Sequence, residues 1–121
     1  MLNQKPEDVR HITCIGAGPI GGGWAAHYLA QGYLVTSYLH DASEHKALMR
    51  LIENAWVSLE EIGLVDGASL DNFSWTTDLA KATEKAEFIQ ESIPEILELK
   101  QTLYQKLGEI VDPQVVIASS T

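Results

Sequence analysis

Six residues, Gly16-Ala17-Gly18-Pro19-Ile20-Gly21, carry the strongest chemical signal in the chain. A G-x-G-x-x-G spacing suits a backbone that approaches an anion closely. Gly16 permits a tight turn, Gly18 bares the main chain to a diphosphate, and Gly21 allows close packing of a following helix. Amides at the start of that helix, and its dipole, would supply a local positive field. The same glycines could serve only to make a compact turn, but the motif sits between a strand pattern and a helix pattern, the context that favours dinucleotide binding. Pro19 and Ile20 belong to the same candidate site. The usual companion is an acid near the end of the second strand, where it binds ribose hydroxyls. Asp41 is the nearest acid, yet Asp41-x-x-Glu44 also reads as a capping box. No Arg or Lys directly follows that strand to receive a 2′-phosphate, which favours NAD over NADP.

Other reactive side chains read as structural. His11, His27, His40 and His45 do not cluster at metal-ligand spacing. Cys14 lies among apolar neighbours and reads as an inert core thiol. Trp24, Trp56 and Trp75 read as packing residues, with Trp24 on the glycine turn. Glu60-Glu61 and the charges from Lys81 to Glu87 read as solvated helix faces.

Alternating strand and helix patterns must position the glycine turn. Strands are expected at residues 11–15, 34–39, 73–76, 87–91 and 115–118. Helices are expected at 20–31, at 43–62 with Leu48, Leu51, Ile52, Ala55, Leu59 and Ile62 on one stripe, and at 78–85 with Asp78 as N-cap. A further helix is expected to open at Ser92-Ile93-Pro94-Glu95, with Ser92 capping, Pro94 in the first turn and Glu95 closing a capping box. Its apolar face would hold Ile96, Leu99, Leu103, Leu107 and Ile110. Parallel strands need crossovers, so the expected fold is α/β: a Rossmann-type, open, mainly parallel sheet with helices on both faces. Residues 1–10 read as a polar tail and 11–121 as one domain. A doubly wound domain normally continues after such a strand, so the domain reads as truncated after its fifth strand.

Composition sets the outer bounds. The 121 residues are 45% apolar, enough for a core, and fit one domain. Eight basic against seventeen acidic residues give a net charge of −9. Such a surface repels phosphate backbones and anionic lipid, so neither nucleic acid nor membrane is an expected partner. No apolar run approaches the ~20 residues of a membrane span. A polar N-terminus without a signal-peptide core, together with a lone Cys14, reads as cytoplasmic.

From about His11 onward the chain resembles the NAD-binding domain of the L-3-hydroxyacyl-CoA dehydrogenase family, and within it the carnitine dehydrogenase branch. The likeness is carried by Gly21-Gly22-Gly23-Trp24, Asn54-Ala55-Trp56, Ile62-Gly63-Leu64, Gly67-Ala68-Ser69-Leu70-Asp71, residues 88–95, Glu98-Leu99-Lys100 and Ala118-Ser119-Ser120-Thr121. The gulonate 3-dehydrogenase branch shares some of these segments. The resemblance implies NAD as cofactor, with Glu95 and Lys100 lining its nicotinamide-ribose side. It also matches Glu91 to a family acid without giving it a role. The implied activity is oxidation of a 3-hydroxy group on a small-molecule substrate to a ketone, and a homodimer is compatible with it. The implied proton-accepting His, its Glu partner and a substrate-contacting Ser are not among residues 1–121. The chain alone is therefore expected to bind cofactor without turnover, so no catalytic residue is assigned. One departure stands out. The family's ribose-binding acid aligns with Leu39, which leaves open a non-catalytic dinucleotide-binding module.

Overall fold

The computed structural model describes residues 9–94 and 96–120. Five strands form one parallel sheet: β1 His11–Ile15, β2 Leu34–Tyr38, β3 Phe73–Thr76, β4 Phe88–Glu91 and β5 Val116–Ser119. Their order is β3-β2-β1-β4-β5. The helices are α1 Pro19–Ala30, α2 His45–Ile62, α3 Leu79–Thr83 and α4 Leu97–Ile110. All four neighbouring strand pairs are parallel, so the expected α/β sheet is present.

Alternation along the strands sends side chains to two separate cores. Ile12, Cys14, Val35 and Leu39 pack with Ala25, Ala26 and Leu29 of α1 and Leu48, Ile52 and Trp56 of α2. Ile15 and Ile89 point the other way, onto Leu103 and Leu107 of α4. Helices therefore cover both faces, as period-two strands between amphipathic helices require. Gly32 and Gly63 follow α1 and α2 with φ of 89° and 119°, a region that favours glycine. Asp78 caps α3, its carboxylate accepting the Lys81 amide at 3.2 Å.

Two expectations need correction. First, α4 opens at Leu97, not at Ser92. Its N-cap is Ile96, with no side-chain cap. Ser92 is drawn away by tertiary partners: its amide donates to the Ile15 carbonyl and its Oγ lies 2.8 Å from Ser120 Oγ. Pro94 thus precedes the helix, and Glu95 lies outside the described residues. Second, the α4 stripe is buried only at Leu103 and Leu107; Ile96, Leu99 and Ile110 are exposed. Ile62, at the end of the α2 stripe, is 82% exposed, while Trp56 takes a core position. As expected, Trp24 and Trp75 serve packing: both lie partly buried against the first core, Trp24 stacked on Tyr28 (centroids 5.5 Å apart) and Trp75 on His45 (4.8 Å). Cys14 is buried, and burial pushes its thiol up to about 12. Of the N-terminal tail only Val9 and Arg10 are described. Among the described residues, no helix is long and apolar enough to cross a membrane, and no His, Cys, Asp and Glu cluster could hold a metal ion.

Candidate functional site

The strand order reverses direction between β1 and β4. From β1 the chain builds outward to β3, then returns to lay β4 and β5 on the other side. The crevice beyond the carboxyl ends of two such strands is where open α/β sheets bind ligands. Gly16 to Gly21 open onto this crevice from β1.

Each glycine there has a distinct geometric reason. Gly16 adopts φ +124°, and a Cβ on it would lie 3.0 Å from the Ser92 carbonyl oxygen. Gly18 is the N-cap of α1 with φ −75°, an ordinary value, and a Cβ there would meet nothing within 4 Å. Its missing side chain therefore leaves open space over the helix N-terminus. On Gly21 a Cβ would overlap the Gly16 carbonyl, so this glycine closes the turn on itself and not against the sheet. Gly22, named above only as part of the family likeness, has a packing reason. Its bare Cα lets α2 approach: a Cβ would lie 3.1 Å from Leu51 Cβ.

The first-turn amides of a helix have no partner within the helix. At α1 no side chain caps them, Pro19 occupies the first turn, and no acid stands there. Pro19 and Ile20 are exposed at the mouth. This arrangement fits a diphosphate: open volume, uncapped amides and the positive end of a helix dipole.

At the end of β2, Leu39 is fully buried in the α1–α2 core, so its side chain cannot face a ligand. Asp41 is exposed and builds the capping box. Its Oδ1 accepts the Ser43 amide at 2.9 Å, and Glu44 Oε1 accepts the Asp41 amide at 3.1 Å. Hydrogen bonding from Ser43, with a smaller contribution from His40, holds the Asp41 carboxyl below its ordinary 3.8. The acid is thus ionised at neutral pH.

Across the crevice stand residues from β4, α4 and the end of β5. Glu91 is the register partner of Ile15 and is fully buried. Lys100 is not on a solvated face. Its Nζ lies 3.7 Å from Glu91 Oε1 and 3.4 Å from Ser119 Oγ, with the side chain 18% exposed. Beside them runs a hydroxyl and amide chain that the sequence did not disclose. Tyr28 of α1 donates to Gln90 Oε1 at 2.9 Å, and Gln90 Nε2 donates to Ser120 Oγ at 2.8 Å. Ser120 Oγ in turn donates to the Glu91 carbonyl. The only hint in the sequence was polar residues ending an otherwise apolar strand.

A separate cleft of about 280 Å³ lies between α3 and the β2–β3 side of the sheet, lined by His11, Thr36, Ser74 and Lys81 among others. It does not include the glycine turn.

Residues 11–121 match the model of the 3-hydroxyacyl-CoA dehydrogenase NAD binding domain. The chain is 50% identical to L-carnitine dehydrogenase of Streptomyces coelicolor over 117 residues, which is 97% of this chain and 37% of that protein. With L-carnitine dehydrogenase of Bacillus cereus it shares 37% identity over 119 residues, 98% of this chain and 36% of that one. Among solved structures, 3-hydroxybutyryl-CoA dehydrogenase from Escherichia coli K12 superposes with a TM-score of 0.81 at 25% identity, covering 93% of this chain and 25% of that one. The chain therefore spans little more than a third of the curated relatives it matches.

Proposed function

The chain belongs to the 3-hydroxyacyl-CoA dehydrogenase family as its NAD-binding domain, and from that premise we propose that it serves an enzyme oxidising the 3-hydroxy group of L-carnitine or a close analogue. The cofactor is NAD. The observation that carries the reading is Gly18: a bare N-cap facing open space, over uncapped helix amides, at the sheet's switch point. Carnitine is the substrate named in curated relatives that reach 50% identity.

Bound NAD supplies a nicotinamide that accepts hydride. The residues of this chain bind and orient it. Gly16, Gly18 and Gly21, with Pro19 and Ile20, would seat the diphosphate against main-chain amides. Asp41, already ionised, would accept the adenosine ribose hydroxyls in place of the buried Leu39. Lys100 would donate to the nicotinamide-ribose side, and Glu95 would line it. The hydroxyl proton would be taken by a His outside the matched third of the relatives, in a general acid-base step. The lone buried thiol agrees with a reducing compartment, and we assign the protein to the cytoplasm.

Calorimetric titration with NAD and NADP tests the site. NAD is expected to bind more tightly, and Asp41→Ser, which keeps a capping oxygen but removes the charge, should narrow the gap. Equal binding of both cofactors by the unmodified chain would remove Asp41 from the site. For the reaction, a polypeptide of the relatives' full length should form NADH with L-carnitine, and none with it would refute the substrate assignment.

A further inference from the structure

We propose that Glu91 is a positioning residue for the nicotinamide half of the cofactor, its buried carboxylate holding Lys100 and the Ser92-Ile93 segment at the mouth of the β1–β4 crevice. The proposal rests on the reading that this crevice takes NAD.

An isolated carboxylate in a protein interior is unfavourable by several kcal/mol unless it is paired and hydrogen-bonded. Glu91 is fully buried, and its partners come from the elements that frame the crevice. Oε2 accepts the Ile93 amide at 2.7 Å, which fixes the chain leaving β4. Oε1 accepts the Tyr104 hydroxyl at 2.9 Å and faces Lys100 Nζ at 3.7 Å. Tyr104 and Lys100 lie four residues apart on α4, hence on one face. One carboxylate thus ties together the end of β4, the loop after it and the first turns of α4.

Its place makes this a ligand-side device. Glu91 pairs in register with Ile15, the residue before Gly16. Ser92 donates its amide to Ile15, and its carbonyl oxygen stands 3.0 Å from where a Cβ on Gly16 would lie. The loop set by Glu91 is therefore the wall facing the glycine turn. Lys100 is anchored on one side by Glu91 and reaches Ser119 at the end of β5. Stability alone does not call for a charge here, because well-packed neutral side chains often replace buried ion pairs without loss. A charge that fixes a partly exposed ammonium at a ligand crevice has a use that a neutral side chain lacks.

Glu91→Gln keeps the shape and removes the charge. Affinities for NAD and for ADP, which carries the adenine half only, should be measured by calorimetry for Glu91→Gln, Lys100→Met and the double variant. Each single change is expected to weaken NAD about tenfold while leaving ADP within about twofold. The double variant should be no weaker than either single one, because the Gln side-chain oxygen can still accept the Ile93 amide and the lost charge acts only through the Lys100 ammonium. Unchanged NAD affinity in Glu91→Gln would overturn the proposal. So would an equal loss for ADP, which marks a general fold effect, or losses that add in the double variant. Should Glu91→Gln not fold, Glu91→Asp retains the charge but withdraws it by one methylene, and the same selective loss of NAD is expected. Failure of the unmodified chain to bind both NAD and ADP would instead remove the crevice reading itself, and this proposal with it.

Discussion

Gly18→Ala separates binding from folding more cleanly than any other change to this site. The added methyl meets no heavy atom within 4 Å, and φ is −75°, so the fold has no steric reason to object. Removing glycine freedom from the unfolded chain stabilises by about 0.4–1 kcal/mol. Alanine is a poorer N-cap than glycine, which offsets a similar amount. The net change should stay within about 0.5 kcal/mol, or a few degrees in Tm. Binding should respond very differently. The methyl occupies the open space over the α1 amides and holds a diphosphate away from them. Losing one charged hydrogen bond of about 1.5–3 kcal/mol corresponds to roughly a tenfold to hundredfold weaker Kd. Gly23→Ala is the control. It also faces open space, but five residues along α1, within the helix. It should raise stability by about 0.5–1 kcal/mol and leave NAD affinity unchanged. Thermal unfolding and calorimetry on the two variants give both quantities. A folded Gly18→Ala protein that binds NAD normally would refute the reasoning, as would an equal loss in Gly23→Ala.

Four further outcomes follow from the packing. Gly21→Ala forces a methyl onto the Gly16 carbonyl and should cost about 1–3 kcal/mol in denaturant unfolding, with NAD binding lost as well; an unperturbed variant would mean that the turn relaxes freely. Ser37→Ala removes a fully buried hydroxyl that has no hydrogen-bond partner among the described residues, and should raise stability by about 1 kcal/mol, whereas a loss of stability would reveal a partner. Asp41 has a lowered native pKa, so its contribution is present above the unfolded value near 3.8 and fades as pH falls through the native value. Asp41→Asn should flatten that part of the acid unfolding profile, and an unaltered profile would contradict the cap. Cys14, raised to about 12, stays protonated in the native state while an unfolded thiol ionises above about 9. Its contribution is therefore lost as pH rises from about 9 towards 12, and alkylation at pH 8 should proceed only as fast as the chain opens. Rapid labelling of the folded protein would contradict its burial.

Much of the fold was legible because local signals and long-range packing agree there. The alternation of strand and helix, the glycines that end α1 and α2, and the Asp78 cap are all read from residues close in sequence. The α4 start was not legible, because Ser92-Ile93-Pro94-Glu95 satisfies a local capping pattern that tertiary contacts override. Ser92 spends its amide on Ile15 and sets its hydroxyl against Ser120, partners 77 and 28 residues away that no four-residue pattern contains. The exposed ends of the α4 stripe have a related origin, since periodicity shows which side chains share a face but not how far the sheet extends beneath them. At the site, the strand-turn-helix setting of Gly16 to Gly21 was visible, while the partners of Glu91 were not. A lone acid at a strand end looks solvated in sequence, and only the fold brings Tyr104 and Lys100 to its carboxylate. Asp41 was legible as a cap, and the structure builds that cap, but its ribose role depends on a ligand.

Amide resonances of the chain, followed by NMR as NAD is added, test the central claim most directly. Residues 16–21 are expected to shift first and furthest, joined by residues 91–100 across the crevice, with the outer face of α2 silent. Saturating NAD that leaves Gly16 to Gly21 unmoved, or that perturbs only the cleft beside α3, would contradict the account.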